Sequence, residues 1–98
     1  MKVSEITVKN LANYLKLDYG SLAEEDLLEL ATFLQTAVCF ICDYTGLSEP
    51  ELDEHETFVI VVFVLVQDMY DNRNFYVDKN HLNRVVETIL GMHSVNLL

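Results

Sequence analysis

Between Lys16 and Arg73 the sequence has no basic residue at all. Thirteen of its sixteen acids lie in that interval: Asp18, Glu24, Glu25, Asp26, Glu29, Asp43, Glu49, Glu51, Asp53, Glu54, Glu56, Asp68 and Asp71. With a net charge of −10 at pH 7, the balance argues against nonspecific phosphate binding, which draws on Lys and Arg. Such a run is either a solvated face or a surface that repels an anion or receives a basic partner. The densest part, and the candidate acidic surface, is Glu49, Glu51, Asp53, Glu54 and Glu56.

Catalytic signatures are also missing. There is no Gly-rich phosphate loop, no serine-nucleophile motif and no basic stripe interleaved with aromatics. Cys39-Phe40-Ile41-Cys42 is formally a CxxC, but it falls late in a helical pattern. A redox pair wants its first thiol at a helix N-terminus, and no second CxxC completes a zinc site. The two cysteines are therefore read as buried and structural. His55, His81 and His93 show no ligand spacing, although Glu54 and Glu56 flank His55. The acid pairs Glu24/Glu25 and Glu54/Glu56 sit at helix starts, where exposed carboxylates are ordinary. General acid–base work would need a pocket that separates their pKa values. A non-catalytic protein without metal or cofactor is expected. Met1-Lys2-Val3-Ser4-Glu5 has no apolar core behind it, so no export signal is expected and the thiols fit a reducing, cytoplasmic setting.

What is present is apolar. The chain of 98 residues is 51% hydrophobic, enough for one domain with a core. The stretch Phe58-Val59-Ile60-Val61-Val62-Phe63-Val64-Leu65-Val66 is unbroken. Its β-branched and aromatic content suits a buried strand. Three signs favour a helix buried on every side. Asp53 followed by Glu56 offers a cap and a carboxylate for the first turn. Met69 and Tyr70 extend the segment to ~17–20 residues, long for a strand. No alternating partner strand lies nearby. A helix apolar all round belongs inside other helices or an assembly. It is too short for a membrane span of ~20 apolar residues.

The other elements read in order. Thr7 caps a short helix over 8–16. Ser21-Leu22-Ala23-Glu24 reads as a capping box that opens a long spine helix. Leu27, Leu30, Ala31, Leu34, Ala37, Val38, Ile41 and Tyr44 face inward on it, Leu28, Phe33 and Phe40 widen that stripe, and Gly46 ends it. Ser48 with Glu51 starts one turn beside Pro50. The valine-rich helix runs from about Glu54 to Arg73. Asn80 caps a last helix over 81–91, with Leu82, Val85, Val86, Ile89 and Leu90 inside and Gly91 at its end. Met92, Val95, Leu97 and Leu98 form an apolar tail beyond it. The expected fold is all-α: a small bundle of about four helices, one long spine and one fully buried valine-rich helix.

Three stretches in this order resemble the small head–tail connector (adaptor, head-completion) proteins of long-tailed bacteriophages and related prophages. They are Met1-Lys2-Val3-Ser4-Glu5-Ile6-Thr7 leading to Asn13-Tyr14-Leu15, then Asp43-Tyr44-Thr45-Gly46-Leu47-Ser48-Glu49, then the apolar helix closing on Tyr70-Asp71-Asn72-Arg73. The resemblance covers nearly the whole chain; Phe75–Asn83 departs from it, since a shorter polar turn is common there. It implies a structural virion protein, a homo-oligomeric ring of about a dozen copies closed by a heterologous interface. The ring would dock under the portal protein at the neck and meet the next head-completion or stopper protein. It would pass DNA through an acidic channel without binding it, after assembly in the host cytoplasm and away from any membrane. Tyr70, Arg73, Met92, Val95, Leu97 and Leu98 are the expected contact residues. The alternative is a small acidic helical module, or DNA mimic, that blocks a basic protein surface.

Overall fold

The structure is a computed structural model and describes residues 1–94. Among these the chain is all-helical: α1 Val8–Tyr14, α2 Glu24–Thr45, α3 Glu49–Leu52, α4 Thr57–Asn72 and α5 Arg84–His93, with short 3₁₀ turns at Val3–Glu5, Tyr19–Ser21 and Lys79–His81. No strand forms, and the valine-rich stretch lies wholly within α4.

Local chemistry sets the ends. The Thr7 hydroxyl accepts from the Asn10 N–H (3.1 Å) while the Asn10 side-chain oxygen accepts from the Thr7 N–H (2.9 Å), so two free donors at the start of α1 are used. Helices α1 and α4 close alike. Lys16 (φ 61°) and Arg73 (φ 54°) are left-handed. Each donates to the carbonyl three residues back, and the next residue's N–H reaches five back. Glycine usually takes that position, as Gly46 (φ 78°) does after α2.

Several boundaries differ from the sequence reading. Ser21 does not cap α2; its hydroxyl donates to Asp18 (2.8 Å) inside a 3₁₀ turn. Ala23 takes the cap position, with its N–H held by the Asp26 carboxylate (3.1 Å). Asp53 does not start α4. It ends α3, and its carboxylate accepts from the Ser4 N–H (2.9 Å), tying the N-terminal turn to the bundle. Asn80 does not cap α5; Asn83 does, accepting from the Val85 N–H (2.8 Å). Gly91 does not end that helix, which runs on to His93. Packing of Val86 and Leu90 offsets the ~1 kcal/mol that glycine costs inside a helix.

The spine α2 is 22 residues, about 33 Å long, and touches α1, α3, α4 and α5. Leu30, Phe33, Ala37, Val38 and Ile41 line its inner face. Phe33 is central, whereas Ala31 and Leu28, both expected on the apolar stripe, are exposed because they lie on the far side of the helix from Phe33 and Ile41. From α4 come Phe58, Val61, Val62, Leu65, Val66 and Met69, and from α5 Val86 and Leu90. Val85 lies off that stripe and is 57% exposed.

Within the single chain α4 is not buried on every side. Ile60 is 54% exposed, and Val59, Phe63 and Val64 are half-buried. The spine, α5 and a short α1 cover only part of a helix that is apolar all round over Phe58–Val66. Helix α2 is long and apolar enough to cross a membrane by length and composition. Its inner face is instead packed against helices of the same chain, and its first turn carries Glu24, Glu25 and Asp26.

Candidate interaction surfaces

The acidic segment begins at Ser48, whose N–H and hydroxyl both donate to Glu51 Oε1 (3.0 and 2.9 Å). Those bonds, the backbone one first, hold the Glu51 carboxyl below its usual range. Hydrogen bonding from Ser4 does the same for Asp53, with a smaller contribution from the Lys2 charge. Both groups stay ionised, because donors that favour the charged form make protonation harder. Glu49, Glu51, Glu54 and Glu56 are exposed and Asp53 half-exposed. Over the eight residues 49–56, α3 and the segment that follows it thus carry five carboxylates, an anionic ridge.

Arg73 faces its own chain. Its Nη1 donates to Glu29 Oε1 at 2.9 Å, and its guanidinium lies 4.7 Å from the centre of the Tyr70 ring. The αL turn at Arg73 aims the side chain back across α2, and Phe75 then stacks on Phe33 (centroids 5.0 Å). Tyr70 and Arg73 therefore share one cation–π clasp. Met92 is 74% exposed on the last turn of α5. Val95, Leu97 and Leu98 lie outside the described residues.

A cleft of about 600 Å³ opens between the end of α4 and the segment before α5, lined by Asp68, Asn72, Tyr76, Asp78, His81 and Leu82 among others. Partial burial, then the neighbouring Asp71 charge, raises the Asp68 carboxyl above its usual range. His81 Nδ1 lies 2.8 Å from Asp78 Oδ2. No serine or cysteine lines this cleft, so the His–Asp pair has no nucleophile there to activate.

The cysteines are not buried as a pair: Cys39 is exposed and Cys42 half-buried. Burial, then the charge of Glu49, pushes the Cys42 thiol up, away from the reactive thiolate. Among the described residues no three His, Cys, Asp or Glu side chains gather as a metal site would require. The structure does bring together residues that sequence spacing left scattered. The rings of His55 and His93 lie 4.4 Å apart, and Phe58 sits 4.9 Å from His93. This contact docks the end of α5 onto the start of α4.

Apolar side chains remain outside. Leu28 (70% exposed) stands on the outer face of α2. Ile60 stands on that of α4, near Phe63, whose ring stacks on Tyr14 of α1 (4.9 Å). Comparison with protein-family models, with curated proteins and with solved structures gives no match.

Proposed function

We propose that this protein is a structural subunit that assembles into a ring, docks under a phage portal at the virion neck and extends the DNA channel toward the tail. The observation that carries this reading is the apolar surface left over once the core is closed: Leu28, Ile60, Val85 and Met92 are each more than half exposed. They stand on α2, α4 and α5, and the outer face of α4, where the half-buried Phe63 and Val64 adjoin Ile60, is the stretch that a second chain would cover. In the ring the outer face of α4 is covered, and the valine-rich helix becomes buried on every side. The anionic ridge of Glu49, Glu51, Asp53, Glu54 and Glu56 faces the lumen and repels the DNA backbone, so the duplex slides without sticking. Met92 and the tail with Val95, Leu97 and Leu98 meet the portal or an adjacent subunit. No catalysis, metal or cofactor enters this role.

The test is reconstitution with a purified portal ring, read by electron microscopy. A second ring stacked on the portal is expected. A chain that leaves the portal bare while binding one basic protein as a monomer would replace this reading with that of an acidic blocking module, which the uninterrupted acid run also favours. Because α5 runs to His93, truncation to test the tail belongs after Ser94, not after Gly91. The shortened chain is expected to keep its melting temperature and lose portal binding.

A further inference from the structure

We infer that His55 and His93 form a proton-operated latch: it holds the last turn of α5 on the start of α4 and releases that turn once both imidazoles carry a charge. The device lies within one copy of the chain and does not depend on the ring proposed above.

Three rings meet at this corner of the bundle. His55 and His93 lie 4.4 Å apart, Phe58 lies 4.9 Å from His93, and His55 meets Phe58 edge-on at 5.7 Å. Phe58 is fully buried, and both histidines are half-buried. The two come from different elements. His55 belongs to the segment between α3 and α4, and His93 is the final residue of α5. Their contact therefore exists only while α5 is docked to its end. That helix has ten residues and carries Gly91 in its last turn. Such a turn has little helical propensity of its own and relies on packing.

Neither imidazole is tied to anything else. Among the described residues neither has a hydrogen-bond or ion-pair partner, unlike His81, which Asp78 holds. Charged groups stand on every element nearby, yet none binds the pair. Asp53, Glu54 and Glu56 flank His55. Asp53 accepts from the Ser4 N–H, and Glu56 lies 3.9 Å from the Met1 ammonium. The N-terminal turn adds Lys2, α5 adds Glu87 and the end of α2 adds Asp43.

Uncharged, the two imidazoles pack as flat rings against Phe58. One proton is tolerated there, because aromatic faces attract a cation. A second proton sets two like charges in contact in a corner where water screens them less than at the surface. Undocking α5 relieves that repulsion. Histidine changes charge between about pH 5 and 8, so the latch holds at the upper end of this range and opens at the lower. Opening carries Met92 away from α4 together with Ser94, from which the chain continues, and uncovers an edge of Phe58.

The experiment is hydrogen exchange on the full chain, read by mass spectrometry over residues 84–94 and corrected to intrinsic rates at each pH. Between about pH 8 and pH 5 the wild type is expected to lose protection there by roughly tenfold. His55→Phe and His93→Phe each keep a ring in the stack and leave only one imidazole. Both are expected to hold protection constant over the same range. A Phe variant with altered helical circular dichroism is replaced by Gln at that position, which carries the same expectation. His81 remains in every variant, so an equal loss in the variants places the pH dependence elsewhere and overturns the latch. A loss abolished by only one of the two substitutions overturns it as well, since the repulsion needs both rings. Wild-type protection that does not change with pH overturns it without any variant.

Discussion

The two faces of α4 are written with the same residues and end differently. Phe58, Val61, Val62, Leu65 and Val66 are sealed within the chain, while Ile60, Phe63 and Val64 lie open or half-open between them. Composition cannot separate the faces, because a helix apolar all round says only that everything on it wants a neighbour. Geometry separates them: α2 and α5 cover one side, while among the described residues only Tyr14 of α1, stacked on Phe63, reaches the other. The inner face is thus a folding surface, and in the proposed assembly the outer one is where another subunit seats.

Substitution can break that comparison. Val62→Asp places an unpaired charge at a fully buried position and costs several kcal/mol. Stability of a domain this size is about 5–15 kcal/mol, so loss of the cooperative thermal transition is expected. Ile60→Asp on the outer face should keep that transition, and equal damage from both would erase the distinction. Phe58→Ala, opening a cavity against α2 and α5, should cost about 3–5 kcal/mol in urea unfolding. Ile60→Ala should stay within about 0.5 kcal/mol of wild type there.

Smaller effects concern the helix ends. A Cβ at Gly91 meets nothing within 4 Å, so Gly91→Ala should stabilise α5 by up to about 1 kcal/mol. Arg73→Ala removes an exposed pair with Glu29; a double-mutant cycle with Glu29→Ala should return about 0.2–1 kcal/mol. A coupling energy of zero would leave Arg73 with only its stack on Tyr70. The smallest effect is a pH dependence. The folded Asp68 carboxyl is raised by burial, so the native state holds its proton longer than the unfolded chain. Stability from this group is present below the unfolded pKa and lost as pH rises through the folded one. Glu51 and Asp53 are lowered and act with the opposite sign, contributing stability that is lost as pH falls. Asp68→Asn should therefore stabilise relative to wild type above the carboxylate range and give no advantage below it, as read by melts across pH.

Much of the helical order was legible because it is local. Thr7 capping, Gly46 in the left-handed region and the turn at Ser48–Glu51 each need only neighbours in sequence. The helical reading of the valine-rich stretch held because its length and missing strand partners outweighed its β-branched content. Two of the misread boundaries, at Ser21 and Asp53, share one cause, a competing partner. Asp18 takes the Ser21 hydroxyl, and Ser4, 49 residues away, takes the Asp53 carboxylate. Gly91 misled because tertiary packing holds α5 together beyond it. The clasp of Arg73 with Glu29, 44 residues apart, showed in sequence only as charge asymmetry. The contact of His55 with His93 carried no sequence signal at all. Which face of α4 stays open was invisible for the same reason: it depends on where α1 and α2 end up.

The central claim, that the open face of α4 is a contact between subunits of a ring, has a direct measurement in disulfide trapping. Cys39 already stands exposed on the outer strip of α2. Ile60→Cys pairs it with a thiol on the outer face of α4, and a second variant adds Thr32→Cys with Cys39→Ser to sample another register. Under mild oxidation, non-reducing gels should show a ladder of covalent dimers, trimers and higher species in at least one register. Ile60→Cys combined with Cys39→Ser and Cys42→Ser should show none. A product that stops at dimers, and still forms when position 60 holds the sole cysteine, would mean that like faces meet and would contradict the account.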